Sequence, residues 1–176
     1  MGHGFGRVIK GRRLGSDNDR WIICEASPAW ERSKRGHFNQ EIGRSKGGLT
    51  TKIHAVVDGL GNPVRIHLTG GNVNDIVPAN ELINGLHAGM TIADKAYDAD
   101  RFTDLIRKQG SEVVIPPTRS RLDQRWYDKH LYKERHLVEC FFAKIKVFRR
   151  ISTRYDKLAV TFRAAVLIAA CMTWLQ

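Results

Sequence analysis

The amino-acid sequence predicts an α/β fold, a mixed β-sheet flanked by helices. An antiparallel hairpin comes early in the chain, and short apolar runs then alternate with helix-like segments, as expected when helices pack on a mixed sheet. No internal repeat and no linker divides the 176 residues, which are enough for one domain with a hydrophobic core. We therefore expect a poorly structured, Gly-rich stretch at residues 1–19 and a single domain at residues 20–176.

The first part of the chain predicts one isolated strand and one hairpin. Trp21–Cys24 is a short apolar run typical of a buried strand, whereas Ala26–Lys46 is polar and predicts irregular structure. Thr51–Asp58 and Pro63–Thr69 both have strand-like patterns and are separated by a Gly-rich turn, so they predict the hairpin. Asp58 ends the first of these strands, where a role in the turn explains its carboxylate.

The middle of the chain alternates helix and strand. Asp75 is placed to cap a helix over about residues 76–87, and Asp98 is placed to cap a second helix that stops at Gly110. Between these helices, Met90–Ala93 is an apolar run that predicts another strand.

The last third predicts a short strand, a basic loop and two helices. Val113–Ile115 is strand-like and is closed by two prolines, and Thr118–Tyr127 is a basic loop. Tyr132–Lys146 predicts a long helix, and residues 158–175 predict a final one. The apolar run in the final helix is short for a membrane span and is typical of a buried helix.

The predicted helix Tyr132–Lys146 places four polar residues at the edge of an apolar face. At about 100° per residue, Arg135, Glu139 and Lys146 fall on the same side as Tyr132. Large apolar residues beside them form a wide face for burial. A carboxylate, two cations and a phenol that project together from such an edge indicate a functional site rather than a solvated surface.

The chain is strongly basic, with a net charge of +11 from 29 Lys and Arg against 18 Asp and Glu. Between Arg119 and Lys157 twelve Lys or Arg accompany five Asp or Glu. This balance favours a polyanionic partner, either nucleic acid or an anionic membrane surface, and the alternative is a solvated basic face. No amphipathic basic helix stands alone, which argues against a membrane.

The three cysteines, Cys24, Cys140 and Cys171, are far apart and odd in number. They predict neither a disulfide framework nor a CxxC metal pair. A reducing cytoplasm is the simplest context for such a chain. The first residues contain no apolar core of the kind found in secretory signals, so we expect none.

Three carboxylates are candidates for one metal site. Glu25 and Asp94 each directly follow an apolar strand, and Glu139 comes from the long helix. Functional groups collect at the carboxyl ends of neighbouring strands, so the three acids are expected to converge. Carboxylate oxygens suit two Mg²⁺ or Mn²⁺ ions, which activate water and stabilise the leaving oxygen in phosphodiester chemistry. For each acid taken singly, the alternative is a cap or turn role.

Other kinds of site find little support in the sequence. His54 and His67 lie in the predicted hairpin without the spacing of a zinc site, so we expect ordinary sheet residues. Gly47 and Gly48 lack the Lys and Ser or Thr that complete a phosphate-binding loop.

Several segments together resemble bacterial insertion-sequence transposases. The Y-R-E-K signature of that family is matched in type and spacing by Tyr132, Arg135, Glu139 and Lys146. The segment DKAYD, residues 94–98, resembles the surroundings of the family's second catalytic aspartate. Longer stretches, including GRSKGGLTTKIHAVVDGLGNPVRIHLTGG, VIPPTRSR and RRISTRYDK, look like the "IS five" group in particular, and the resemblance covers residues 21–175.

The resemblance implies an RNase H-like fold with a DDE triad. Such enzymes use two Mg²⁺ ions to cut the ends of the element and join the 3′ hydroxyls to a target, as multimers on double-stranded DNA. Asp94 matches the second acid of the triad and Glu139 the third. The residues then expected to position Glu139 or contact DNA are Tyr132, Arg135, Lys146, Arg149 and Arg150.

Two departures from the family pattern bear on activity. Glu25 stands where the family has its first aspartate, and Mg²⁺ tolerates poorly the displacement that one extra methylene causes. Full-length members also carry an N-terminal helical region that binds the element's ends, so we expect a truncated copy with impaired activity. The alternatives are a catalytically silent DNA-binding remnant and an RNase H-like nuclease unrelated to transposition.

Overall fold

The fold is a mixed α/β arrangement, as predicted. The structure, a computed structural model, describes residues 20–31 and 40–175, and within the first strand it describes the side chains of Arg20 and Ile22. The expectation for residues 1–19 therefore lies outside the described residues. The strands are β1 (Arg20–Glu31), β2 (Gly43–Ser45), β3 (Gly48–Asp58), β4 (Pro63–Gly70), β5 (Met90–Ala93), β6 (Glu112–Val114) and β7 (Thr153–Arg154). The helices are α1 (Ala79–Ile83), α2 (Asp100–Lys108), α3 (Lys129–Tyr132), α4 (His136–Lys146), α5 (Arg149–Ser152) and α6 (Ala159–Trp174).

Strand β1 lies near the middle of a seven-stranded sheet with the order β2–β3–β1–β5–β6. It pairs antiparallel with β3 and parallel with β5, and β5 pairs parallel with β6. β4 pairs antiparallel with β3, and the short β7 runs parallel to the end of β1. The parallel half of the sheet therefore places the carboxyl end of β5 beside the middle of β1.

The hairpin of β3 and β4 forms where the sequence predicts it. The carboxylate of Asp58 accepts a hydrogen bond from the backbone N–H of Leu60 at 2.9 Å, which confirms its role in the turn. His54 and His67 are direct cross-strand partners. His54 is fully buried and shares a hydrogen bond of 2.8 Å with the hydroxyl of Thr69, so both histidines belong to the sheet as expected.

Alternation along the strands separates two hydrophobic cores. In β5, Ile92 belongs to the core that α4 and α6 cover, and Ala93 belongs to the core that α1 and α2 cover. In β3, Ala55 and Val56 divide between the same two cores. Helices therefore cover both faces of the sheet.

Strand β1 is longer than predicted and carries a β-bulge. It continues to Glu31, through residues for which the sequence predicts irregular structure. The pairing with β3 shifts by one residue between Cys24 and Ser27, so Glu25 and Ala26 together oppose a single residue of β3. Glu25 thus lies inside a strand rather than after its end. The prediction is wrong because the extra residue interrupts the alternation by which a strand is recognised.

Two predicted helix caps are wrong. Helix α1 begins later than expected and has no side-chain cap, and Asp75 instead accepts a hydrogen bond of 2.8 Å from the ammonium of Lys52. Helix α2 also begins without a side-chain cap, and Asp98 pairs with Arg121 and Arg125. In each case an ion pair with a residue distant in sequence holds the carboxylate that local rules assign to a cap.

The predicted helix over Tyr132–Lys146 is helical throughout but not uniform. Helix α3 ends at Tyr132, a 3-10 turn spans Lys133–Arg135, and α4 follows from His136. The φ and ψ angles remain right-handed helical, at −60° and −24° for Tyr132. Three further elements, β2, α5 and β7, have only two to four residues each and escape recognition from periodicity.

The final helix, α6, lies within one residue of its prediction at each end. The N–H of Ala159 in its first turn donates to the side-chain oxygen of Gln40 at 2.8 Å, which ties the helix to the segment before β2. Among the described residues, no helix has the length and apolar character needed to cross a membrane.

Candidate active site

Asp94 lies at the carboxyl end of β5, at the edge of the core beneath α4. Ile92 belongs to that core, and alternation along the strand returns to the same face at Asp94. The carboxylate of Asp94 accepts a hydrogen bond of 2.6 Å from the N–H of Lys95 and so caps the 3-10 turn at residues 95–97. Its location at the end of a parallel strand is as predicted.

Tyr132 brings the helical segment to Asp94. Its phenolic oxygen lies 3.5 Å from Oδ1 of Asp94. The ring of Tyr127 meets the ring of Tyr132 edge-on, with 5.6 Å between centroids. Upstream, Asp128 caps α3 by accepting a hydrogen bond of 2.7 Å from the N–H of His130. The position of the phenol therefore depends on local helix capping and on an aromatic neighbour.

Arg135 connects Tyr132 to Glu139. Its guanidinium forms an i,i+4 ion pair with the carboxylate of Glu139, and its centre lies 5.9 Å from the centroid of the Tyr132 ring. The side chain of Glu139 is 54% exposed, whereas that of Arg135 is 24% exposed. A continuous series of contacts thus leads from Asp94 through Tyr132 and Arg135 to Glu139.

The backbone of Glu25 lies on the strand next to Asp94. β1 and β5 run parallel, and Ile23 is level with Ala93. Asp94 comes one residue after Ala93, and Glu25 comes two residues after Ile23. The backbones of Asp94 and Glu25 are therefore neighbours at this end of the sheet. The side chain of Glu25 lies outside the described residues, and its convergence with the other two acids stays a prediction.

The donor set suits divalent ions that prefer oxygen. Asp94 and Glu139 are carboxylates, the ligands that Mg²⁺ and Mn²⁺ favour in proteins. Within residues 40–175 and the two described side chains of β1, no group of three His, Cys, Asp or Glu side chains is close enough to hold a metal ion. The side chain of Glu25, the third predicted ligand, lies outside the described residues, so the donor types fit while the complete set rests on the sequence.

Two ion pairs near the site were missed by the sequence reasoning. Arg20, at the start of β1, lies 2.5 Å from the carboxylate of Glu134 in the 3-10 turn before α4. Asp98 has a fully buried side chain and pairs with Arg121 and Arg125 of the basic loop. Both segments that form the Asp98 pairs, DKAYD and VIPPTRSR, resemble the transposase family in sequence. That resemblance gives no information on contact between the two segments.

The pKa of Asp98 reflects competition between burial and hydrogen bonding. Burial acts to raise this pKa, and the N–H of Thr118 with the guanidinium groups of Arg125 and Arg121 lowers it further than burial raises it. The net effect holds the pKa below its usual range. Asp98 therefore remains ionised and anchors the basic loop to the segment that follows Asp94.

The other predicted DNA-contacting residues lie at the far end of α4. Lys146 and Arg149 are exposed. Arg150 binds Asp156 through two contacts, of 2.8 and 2.5 Å. Hydrogen bonding to Arg150, opposed by burial, lowers the pKa of Asp156. Arg150 thus supports the turn before α6 in addition to any contact with DNA.

Comparison with known proteins identifies the family. The family model named transposase DDE domain matches residues 23–174. The chain is 44% identical over 132 residues to a Brucella ovis protein described as a transposase for insertion sequence element IS6501, with 73% of this chain and 100% of that protein covered. It is 30% identical over 172 residues to a Burkholderia cepacia protein described as a transposase for insertion sequence element IS402, with 91% of this chain and 76% of that protein covered. The chain therefore belongs to the insertion-sequence transposases of the DDE family.

Proposed function

We propose that this chain is a catalytic core that cleaves the ends of an insertion sequence and joins them to target DNA. The supporting observation is the series of contacts from Asp94 through Tyr132 and Arg135 to Glu139, because it ties two of the proposed catalytic acids to one helical segment. Glu25 completes the proposed triad. An RNase H-like arrangement of the sheet and membership of the "IS five" group belong to the same proposal.

Two Mg²⁺ or Mn²⁺ ions are the proposed cofactors, held by Glu25, Asp94 and Glu139. When bound, such ions activate water or a 3′ hydroxyl and stabilise the leaving oxygen during phosphodiester cleavage and transfer. The protein's part is to present correctly oriented carboxylate oxygens.

Tyr132 and Arg135 are the proposed positioning residues. The phenol of Tyr132 faces the carboxylate of Asp94 and restricts its rotation. The guanidinium of Arg135 offsets the negative charge of Glu139, which reduces the repulsion between clustered carboxylates. Glu139 keeps half of its side-chain surface exposed, so it remains accessible to ions and DNA.

Double-stranded DNA is the proposed partner, both as element ends and as target. The basic tract from Arg119 to Lys157 supports this proposal, with Lys146 and Arg149 exposed where α4 meets α5. DNA affinity should fall steeply with salt, because neutralised phosphates release counterions. Action as a homo-oligomer on DNA and a cytoplasmic location belong to the same proposal.

The central test is cleavage of labelled element-end DNA in Mg²⁺ or Mn²⁺. Asp94→Asn and Glu139→Gln should each abolish nicking while leaving DNA binding and the circular-dichroism spectrum unchanged. Glu112→Gln is the matched control, since Glu112 is an exposed acid at the start of the edge strand β6. Nicking that survives either active-site substitution would remove that acid from the mechanism.

Glu25→Asp separates an impaired enzyme from a DNA-binding remnant. Restoring the shorter acid should increase cleavage if the extra methylene limits metal binding. Absence of cleavage by both forms, together with steeply salt-dependent DNA binding, would favour the silent remnant.

A further inference from the structure

The helical segment that carries Tyr132 and Arg135 changes its winding between these two residues. Helix α3 ends at Tyr132, and Lys133–Arg135 form a 3-10 turn before α4 begins. The ψ angle is −24° at Tyr132, −27° at Lys133 and −25° at Arg135. These values are typical of a 3-10 helix and less negative than the ψ of about −42° found in an α-helix. A 3-10 stretch inside a longer helix often marks a functional position.

The 3-10 turn determines how the side chains of Tyr132 and Arg135 face each other. In a 3-10 helix, side chains three positions apart eclipse one another, whereas in an α-helix they are rotated by about 60°. Tyr132 and Arg135 are three positions apart, and the guanidinium centre lies 5.9 Å from the ring centroid. The turn therefore aligns the residue that contacts Asp94 with the residue that pairs with Glu139.

A partly buried ion pair attaches the middle of this turn to the sheet. The guanidinium of Arg20 donates a hydrogen bond of 2.5 Å to the carboxylate of Glu134, the central residue of the turn. The two side chains are 15% and 29% exposed, so solvent screens them less than it screens a surface pair. Arg20 lies two residues before Ile22, which belongs to the core that α4 covers. Alternation along β1 thus places Arg20 on the face of the sheet on which the helical segment packs.

The Arg20–Glu134 pair and the Tyr132–Asp94 contact attach the helical segment at opposite ends of β5. Arg20 is level with Met90, the first residue of β5, whereas Asp94 directly follows the last. A strand of four residues spans about 13 Å. Two attachments so far apart restrict the rotation of the segment about its own axis, which a single contact cannot do.

We propose that Arg20 and Glu134 form a positioning pair, which holds the 3-10 turn and thereby the orientation of the two proposed catalytic acids tied to it. Both residues act through Tyr132 and Arg135 rather than on the reacting atoms. Neither Arg20 nor Glu134 belongs to the Y-R-E-K pattern. The catalytic part of this inference rests on the proposed function, whereas the effect on Tyr132 is a property of the fold alone.

The first test follows Tyr132 directly and needs neither metal nor DNA. The chain contains four tyrosines, so incorporation of 3-fluorotyrosine gives four fluorine NMR signals, and Tyr132→Phe identifies the signal of Tyr132. Arg20→Gln and Glu134→Gln should each shift this signal, because the released turn rotates the phenol relative to Arg135. Arg20→Gln is the decisive variant, since it leaves the turn itself unaltered. A Tyr132 signal that stays in place in Arg20→Gln would overturn the proposal.

Asp75→Asn is the matched control. It breaks the pair with Lys52, whose side chains are 22% and 13% exposed, close to those of the proposed pair. Lys52 lies on the other face of the sheet, because alternation along β3 places it with Val56 of the core that α1 and α2 cover. Asp75→Asn should lower the melting temperature and leave the Tyr132 signal in place. An equal shift in the control would mean that the signal follows general stability, against a specific role of the pair.

The second test measures single-turnover cleavage of element-end DNA at saturating DNA. Arg20→Gln and Glu134→Gln should each lower the rate roughly tenfold or more and leave DNA affinity unchanged, because small displacements of positioned groups are costly in catalysis. The double variant should be no slower than the slower single variant, since both substitutions remove the same interaction. Losses that add, or a native rate in either single variant, would contradict the catalytic role of the pair.

The two tests separate this inference from the proposed function. If the native chain does not cleave DNA, the catalytic proposal fails, and the fluorine signal of Tyr132 still decides whether the Arg20–Glu134 pair holds the turn. If the native chain cleaves DNA while neither substitution moves the signal, the positioning pair is wrong and the catalytic proposal stands.

Discussion

The phenolic oxygen of Tyr132 lies 3.5 Å from Oδ1 of Asp94, although the two residues are 38 positions apart in the chain. Tyr132 is the first residue of the Y-R-E-K pattern and Asp94 is the proposed second acid. The contact gives the tyrosine of the pattern a physical role, because it joins the helical segment to the end of β5. It also makes that role testable without touching a carboxylate.

Tyr132→Phe should slow DNA cleavage and leave the fold intact. The substitution removes one hydroxyl near Asp94 and keeps the aromatic packing against Tyr127. Loss of a single hydrogen bond costs about 1 kcal/mol, which corresponds to a rate roughly fivefold lower. Single-turnover cleavage should show this change, while the melting temperature moves by no more than Tyr155→Phe moves it, since Tyr155 is exposed. If Tyr132→Phe and Tyr155→Phe cleaved DNA at the same rate, Tyr132 would have no positioning role.

Arg135→Gln should affect catalysis more than stability. The Arg135–Glu139 pair is half exposed on the glutamate side, and exposed i,i+4 pairs contribute at most about 1 kcal/mol to folding. We expect a cleavage rate at least about tenfold lower, with little change in the free energy of unfolding. Arg107→Gln provides the control, since it breaks a pair in α2 whose carboxylate partner, Asp104, is about as exposed as Glu139. If the free energy of unfolding fell by as much as the activation free energy of cleavage rose, Arg135 would have a structural role only.

The fold should lose stability as the pH falls from about 6.5 to about 4. Burial lowers the pKa of His54 from 6.5 to about 4, the nearby Asp75 partly opposes this, and His67 and Lys52 reinforce it. The pKa of His54 is lower in the folded protein than in the unfolded chain. Its contribution to stability is therefore complete above about pH 6.5 and is lost at lower pH, where protons bind the unfolded chain first. The shift corresponds to about 3 kcal/mol.

Chemical denaturation at several pH values measures this loss. His54→Asn should flatten the dependence in that interval, and His136→Asn should not, since His136 is exposed. A slope that is the same in both variants would assign the pH dependence to other groups.

Arg154→Met should destabilise the protein by about 3 kcal/mol or more. Arg154 is fully buried and donates hydrogen bonds to the hydroxyl of Thr51 at 2.5 Å and to the carbonyl of Gln40 at 2.9 Å. Its guanidinium also lies 5.0 Å from the ring of Phe162. Urea denaturation measures the loss, and Arg149→Met, at an exposed position, should change stability by less than about 0.5 kcal/mol.

Asp98→Asn should loosen the basic loop. The buried carboxylate of Asp98 is shared by Arg121 and Arg125, and the substitution removes its charge while keeping its size. Trypsin should then cut within residues 119–125 faster than in the native protein or in Asp104→Asn, which alters an exposed pair. Because the pKa of Asp98 is held below the usual aspartate range, the native loop should resist trypsin equally at every pH at which the protease is active.

Local patterns were sufficient for most of the sheet and for the final helix. The strand Met90–Ala93 has the predicted bounds, and the β3–β4 hairpin and α6 differ from their predictions by a few residues at most. These elements are recognisable because alternation, turn residues and apolar runs all lie within the element itself. The bulge at Glu25 and Ala26 could not be recognised in this way, since it exists only relative to β3.

In the candidate site, too, local patterns identified individual residues but not the contacts between segments. Asp94 and Glu139 were selected from their places after a strand and on a helix, and their connection through Tyr132 and Arg135 depends on packing between segments. The pairs of Asp75 with Lys52 and of Asp98 with two arginines were missed because no local rule reports a partner about twenty residues away. The assignment of Asp94, Glu139 and Glu25 to catalysis stays a prediction.

The place of β1 in the sheet has a consequence for biosynthesis. This strand is the first that the structure describes, yet it pairs with β3, β5 and β7, and residues 30 and 153 face each other in the last of these pairings. A nascent chain can therefore complete the sheet only after the segment beyond α5 has left the ribosome. Pairing over such separations folds slowly and leaves strand edges exposed meanwhile. Synthesis through residue 154 thus precedes completion of the sheet, and a chain terminated before that residue lacks the pairing of β1 with β7.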